Sequence, residues 1–158
     1  MFKRLFLLKQ FPLSPNLGRF ALRVLVFLPL FLKHGTMKLL NFAQMAKDFP
    51  DPLHLGSMPT LAVATFADGI CSLLMMVGLA TRWAALFSLC NLLVAFLFVH
   101  HAALMSWKDM GGQIIFMFMG ACIALICLGP GKYSVDAMIE GAAEEKEPYS
   151  ENLNMTRA

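Results

Sequence analysis

Three uninterrupted apolar stretches and a fourth broken by charge occupy most of this 158-residue chain. Pro59 to Leu79 holds 21 residues with one charge, Trp83 to Leu104 holds 22 with none but histidines, and Gly111 to Leu128 holds 18 with none. About 20 such residues cross the hydrocarbon of a bilayer as a helix. A soluble domain does not carry runs of this length, and the 58% hydrophobic content, 15% charged residues and mean hydropathy of +0.65 agree. The expectation is a single all-α domain, an integral membrane bundle of four transmembrane helices.

The first span requires charge. Its strictly apolar core, Phe20 to Leu32, has 13 residues and already contains Arg23, so the helix must run from about Gly18 to Phe42 to cross. Pro29 lies in its middle and removes the bond to the carbonyl of Leu25, which predicts a kink there. Ahead of it, residues 1–17 read as a basic, partly amphipathic lead-in on the membrane surface. The apolar run Leu5 to Leu8 is too short for a secretory signal and is followed by Pro12 and Pro15.

Lysine and arginine set the orientation. With both tails in the cytoplasm, eight of these residues fall on that side and four (Lys33, Lys38, Lys47 and Lys108) on the other, which favours an N-in, C-in bundle. Ala80 to Arg82 then forms a tight cytoplasmic turn. Residues 43–58, interrupted by Phe49-Pro50-Asp51-Pro52, form a longer outer loop able to fold over the bundle, and Met105 to Met110 a short outer turn. The acidic residues from 139 to 158 read as a disordered tail, leaving 18–138 as the transmembrane domain. Composition and length make the chain a multi-pass membrane protein, and the expected location is a plasma membrane, the inner one where there are two. Nothing points to nucleic acid, because the basic N-terminus is explained by anionic headgroups.

Ionisable groups inside a bilayer are costly and point to working sites. With a rise of about 1.5 Å per residue, His34 falls about 8 Å, Asp68 about 14 Å and His100 about 5 Å inside the outer boundary, with Lys38, His101 and Gln113 near the rim. Arg23, His34 and Lys38 lie within about 60° of one another around the first helix and so face the bundle. Asp68, His34 and Lys38 are the candidate catalytic groups; Arg23, Asn91, His100 and Gln113 are candidate pocket residues. Two readings stand for Asp68: a proton-handling acid beside a bound carrier, or a buried pair with Lys38 or His34 that orders the helices.

Other chemistries are weaker. His34, His100 and His101, with Asp68 and the thioethers of Met37, Met105 and Met110, offer donors that would suit copper, but His100 and His101 diverge by about 100° and no ligand set has a known spacing. No metal site is therefore assigned. The four cysteines form no C-x-x-C and sit within apolar spans, where thiols are usually inert packing groups. No motif for haem, flavin or iron–sulfur binding is present, and no phosphate-cradling loop.

Three motifs occur in order: Arg23 followed by Phe31-Leu32-Lys33-His34-Gly35-Thr36-Met37-Lys38-Leu39, then Val77-Gly78-Leu79-Ala80-Thr81-Arg82, then Gly129-Pro130-Gly131-Lys132-Tyr133-Ser134-Val135-Asp136. Over roughly residues 18–138 the chain resembles the DoxX family of small four-helix membrane proteins. Relatives are associated with membrane redox systems: a quinone-reducing thiosulfate oxidoreductase of some archaea, a thiol and superoxide defence assembly in mycobacteria, and neighbourhoods concerned with metal stress. Asp68 stands where the family carries Glu in an E-x-x-G-G pattern, with Cys71 and Ser72 in place of the glycines, and Gln113 stands where the fourth helix often starts with Glu.

The resemblance implies a membrane component of a redox or stress-protection system, a subunit of a membrane oxidoreductase with protein partners and quinone as the expected ligand, copper being a weaker alternative. Two other readings remain: a non-catalytic anchor or assembly factor for an oxidoreductase complex, and a permease for a small molecule or metal.

Overall fold

A computed structural model describes residues 14–102, 104 and 110–141. The expected surface lead-in, the turn over 105–109 and the acidic tail lie wholly or largely outside these residues. Among the described residues there is no strand, and four helices are long and apolar enough to cross a membrane: α1 (Pro15–Leu40), α2 (Ser57–Val77), α3 (Thr81–Val99) and α4 (Gly111–Leu128).

Local chemistry sets the ends of these helices. Ser14 caps α1 by accepting the N–H of Leu17 at 3.3 Å, and Pro15 follows at a position where a missing N–H costs nothing. Gly78, at φ 78°, closes α2, and its N–H and that of Leu79 both bond the carbonyl of Leu74. Asp136 then caps α3 from far along the chain. Its carboxylate accepts the N–H of Ala80 at 2.7 Å and of Thr81 at 3.0 Å, and the Thr81 hydroxyl at 2.9 Å. In return the Asp136 N–H donates to the carbonyl of Gly78 at 2.9 Å. The segment after α4 therefore straps the α2–α3 turn.

The third helix is shorter than the sequence suggests. It ends at Val99 instead of Leu104, because His101 and Ala102 take left-handed backbone angles (φ 47° and 53°) that no helix continues. Pro29 marks a change of helix type. The α-helical hydrogen-bond pattern runs up to it and gives way, from Leu30 to Gly35, to a wide π-helical turn in which the Thr36 N–H reaches the carbonyl of Phe31. Helices α2 and α3 contain similar wide turns at Phe66–Cys71 and Ala95–Val99.

The core is apolar and narrow. Phe27 and Leu30 of α1, Cys71 and Met75 of α2, Ala84, Ala85 and Leu92 of α3, and Ala121, Cys122 and Leu125 of α4 form one buried cluster. Small residues let the helices approach, as membrane bundles require where lipid gives no hydrophobic drive between helices. Large apolar side chains such as Leu25, Leu40, Phe98 and Met117 are exposed on the outside, a surface suited to acyl chains. Within the bundle, the Thr65 hydroxyl donates to the carbonyl of Leu61 at 2.7 Å, and the Ser88 hydroxyl crosses from α3 to the carbonyl of Ala67 on α2 at 3.2 Å.

Candidate functional site: a polar pocket among wide helical turns

The crossing of α1 and α2 creates the site. Gly35 sits so close to α2 that an added Cβ would lie 2.7 Å from the carbonyl oxygen of Asp68 and 2.9 Å from the Cα of Gly69. Any larger residue would push the helices apart. Because they touch here, Lys38, one turn beyond Gly35, reaches the Asp68 carboxylate and forms an ion pair through Oδ2, with 15% and 7% of the two side chains exposed. Oδ1 of the same carboxylate faces the amide nitrogen of Asn91 on α3 at 3.4 Å. Three helices thus converge on one acid.

Around this group lies a cavity of about 440 Å³. His34, Lys38, Asp68 and Asn91 supply its polar lining together with Lys33, Thr60 and His100, while Leu92, Val99, Ile114, Ile115 and Phe118 are among its apolar walls. It reaches the surface, since Lys33, Pro50 and Met110 line it and are exposed. All three wide turns contribute: Leu30, Lys33 and His34 from the first, Asp68 from the second, and Ala95 and Val99 from the third. Such turns interrupt the regular ladder and re-aim side chains, and they recur at functional sites.

The α1–α2 loop forms part of the wall. Phe49, Pro50 and Pro52 line the cavity, and the Phe49 ring centroid lies 5.7 Å from the Lys38 ammonium. Asp51 anchors this loop to the start of α2, accepting the N–H of Leu55 at 3.0 Å, the N–H of Gly56 at 2.6 Å and the hydroxyl of Thr60 at 2.9 Å. Desolvation pushes its carboxyl upward, but the bonds from Gly56, Thr60 and Leu55, with nearby His54, outweigh that and hold it below the ordinary aspartate range.

The expected pocket residues divide. His34, Lys38, Asp68, Asn91 and His100 line one cavity. Arg23 does not. It lies 11 residues before His34, about 16 Å along the helix, at the opposite end of the bundle. There it is fully buried, donating from Nη2 to the carbonyl of Tyr133 and packing against Gly78 and the Phe20 ring. The strap after α4 claims it there. Gln113 also lies outside the cavity lining, because α4 turns Ile114, Ile115 and Phe118 inward and Gln113 is about 100° round the helix from Ile114.

No group of three or more His, Cys, Asp or Glu side chains among the described residues is placed to hold a metal ion. The four cysteines are free thiols, Cys71 and Cys122 in the core and Cys90 and Cys127 exposed. Reading the sequence missed the apolar walls and the loop residues Phe49, Pro50 and Pro52 as pocket components. The dipeptide pattern around Asp51 was the available signal, since it already predicted a loop that could fold back.

Fold and site together define a small multi-pass membrane bundle with a buried ion pair at the base of an apolar pocket. The DoxX family model matches residues 18–101, more than half the chain and the part that contributes Lys38, Asp68 and Asn91. The protein belongs to the DoxX family. No curated protein and no solved structure gives a match.

Proposed function

We propose that this protein is the membrane component of a redox or stress-protection system and that the Lys38–Asp68 pocket receives a quinone headgroup. The observation that carries this reading is an ion pair held at the end of a largely apolar cavity of about 440 Å³, within the range of small-molecule sites. A planar, apolar ring with polar oxygens at its edge suits such a lining. Lys38, Asn91 and His34 supply hydrogen-bond donors for carbonyl oxygens, while Leu92, Ile115 and Phe118 supply apolar contact.

Reduction of a quinone to its hydroquinone takes two electrons and two protons, converting both carbonyl oxygens to hydroxyls. Electrons come from a partner oxidoreductase in this reading. The chain's own part is to bind, to exclude bulk water by the Phe49–Pro52 loop, and to hold a proton-exchanging carboxylate and imidazole near the oxygens. In this reading the protein lies in a plasma membrane with the Arg19–Arg82–Lys132 end in the cytoplasm and the pocket opening outward, an arrangement supported by the excess of lysine and arginine at that end.

One observation favours a second reading. The Asp68 carboxylate also ties α1 to α2 through Lys38 and faces α3 through Asn91, as a structural pair would. On that reading the protein is an anchor or assembly factor for an oxidoreductase complex, and the pocket is incidental. Purification in mild detergent separates the two, with optical and metal analysis of what accompanies the protein. Quinone extracted in proportion to protein supports the first; stoichiometric protein partners without quinone support the second; stoichiometric copper or zinc contradicts both.

A further inference from the structure

The end of the bundle opposite the pocket carries a second concavity of about 670 Å³. Arg19 of α1, Arg82 of α3 and Lys132 of the strap line it around Gly129-Pro130-Gly131, with Asn16, whose side-chain oxygen accepts the Lys132 N–H at 3.3 Å. The packing is close: a Cβ at Gly129 would lie 3.3 Å from the Arg82 Nη2, and one at Gly131 would lie 3.1 Å from the Arg19 Cδ. None of the three cations has an ion-pair partner among the described residues, where the ion pair is Lys38–Asp68. Two carboxylates also line the cleft. Asp136 is occupied by the donors of Ala80 and Thr81, and Glu140 lies exposed at the margin.

A different feature adjoins it. An apolar groove of about 430 Å³ runs between α2 and α3, lined by Phe66, Leu74, Leu86, Phe87 and Cys90, and it shares Ala80 and Trp83 with the basic cleft. Trp83 and Tyr133 are both strongly exposed at this end, where amphipathic rings mark the headgroup level of a bilayer. A cationic cleft at headgroup depth continuous with an apolar groove along the span has the shape and polarity of one amphiphile with a negative head.

We infer that this end is a binding site for a single anionic phospholipid, its phosphate among Arg19, Arg82 and Lys132 and one acyl chain along the α2–α3 groove. Basic pockets at the ends of transmembrane helices recognise anionic headgroups, each cation near the surface adding on the order of fivefold in affinity. The site is separate from the Lys38–Asp68 pocket and does not depend on what that pocket binds.

The test uses the full-length protein in nanodiscs of phosphatidylcholine and phosphatidylglycerol in equal amounts, with retained lipid counted by native mass spectrometry after transfer to detergent. The expected result is one phosphatidylglycerol per chain, at least tenfold preferred over phosphatidylcholine. Lys132→Gln and Arg82→Gln alter exposed side chains and should each lower that preference about fivefold without changing the unfolding temperature. Cys90→Trp, which fills the groove, should lower retention of the lipid as well. Equal retention of both lipids, or an unchanged preference in the two charge variants, overturns the inference. So does displacement of the lipid by millimolar inorganic phosphate combined with indifference to Cys90→Trp, which would assign the cleft to free phosphate. A lipid-free dimer lost in Cys90→Trp would assign the groove to a second copy and equally overturn it.

Discussion

Gly35 and Asp68 are in contact across the first two helices: a methyl group at position 35 would lie 2.7 Å from the Asp68 carbonyl oxygen. The backbones meet at the level where Lys38 must reach the carboxylate, so a missing side chain on α1 is what allows an ion pair between α1 and α2. Gly35→Ala should therefore cost about 1–3 kcal/mol in unfolding free energy, the usual range for overpacking. Gly120→Ala on α4, where nothing lies within 4 Å of the new methyl, is the matched control and should stabilise by up to about 1 kcal/mol, since alanine favours a helix interior over glycine. Reversible unfolding in detergent measures both.

Removing the lysine of the buried pair should hurt more than removing both partners. Lys38→Met leaves the Asp68 carboxylate enclosed without its counter-charge and should destabilise by about 3–5 kcal/mol. Adding Asp68→Leu to that variant should restore much of the loss. Asp68→Asn is milder, because the Lys38 it leaves behind is a flexible side chain lining a cavity that opens to the surface and can turn its ammonium to water; membrane abundance should stay nearly unchanged while function in a redox-stress complementation assay is abolished. If Asp68→Asn disappears from the membrane, the acid serves only to order the helices.

The strap after α4 makes a local forecast. Asp136→Ala removes three bonds that cap α3 and should cost about 1–2 kcal/mol. Ligand affinity at the Lys38–Asp68 pocket should stay within about twofold of the parent, because independent sites far apart usually act additively. Unfolding and ligand titration on the same preparation check this.

Acid should loosen the loop over the pocket. The folded-state carboxyl of Asp51 is held below its ordinary value, so the stability it lends is fully present above about pH 4, the unfolded aspartate range. That stability is lost as pH falls through the lower folded value. Loop protection, followed by limited proteolysis at 43–56, should thus be flat in this respect from pH 5 to 8 and decline only below about 4. Asp51→Ala should show the loosened state at every pH, and Asp51→Asn should no longer show the acid dependence.

Much of the fold was readable because lipid imposes a simple rule: a helix needs about 20 apolar residues to cross. The spans around Asp68 and Gly120 agree closely on that basis, and depth along the helices makes Lys38 and His34 the nearest candidate partners of Asp68, although it sets Lys38 near the rim and the structure pairs it with the deeper acid. What escaped the sequence depends on backbone register and on contacts distant in the chain. The wide turn at 95–99 holds no proline or glycine and the one at 66–71 only Gly69, which by itself does not announce a wide turn; Pro29 is a signal only for the turn in α1. Arg23 shares a predicted helical face with His34 and Lys38, yet its place 11 residues before His34 sets it at the other end of the bundle. What the sequence could not show there is its partner, the carbonyl of Tyr133, 110 residues later. Asp136 reads as one acid near an acidic tail until the chain folds back to Ala80 and Thr81.

Orientation is tested independently of chemistry. A periplasm-active reporter fused after Ala158 should be inactive, and one inserted beside Lys47 should be active, as the lysine and arginine asymmetry requires. The reverse pattern would place the pocket on the cytoplasmic face.

The central claim is that the pocket holding Asp68 and Lys38 binds a quinone headgroup, and direct binding of a short-chain quinone to the purified protein tests it. Titration calorimetry in detergent should show saturable binding of one molecule per chain, weakened at least tenfold in an Asp68→Asn variant that still unfolds cooperatively. Failure of the parent protein to bind, or equal binding by a correctly folded Asp68→Asn variant, would contradict the claim.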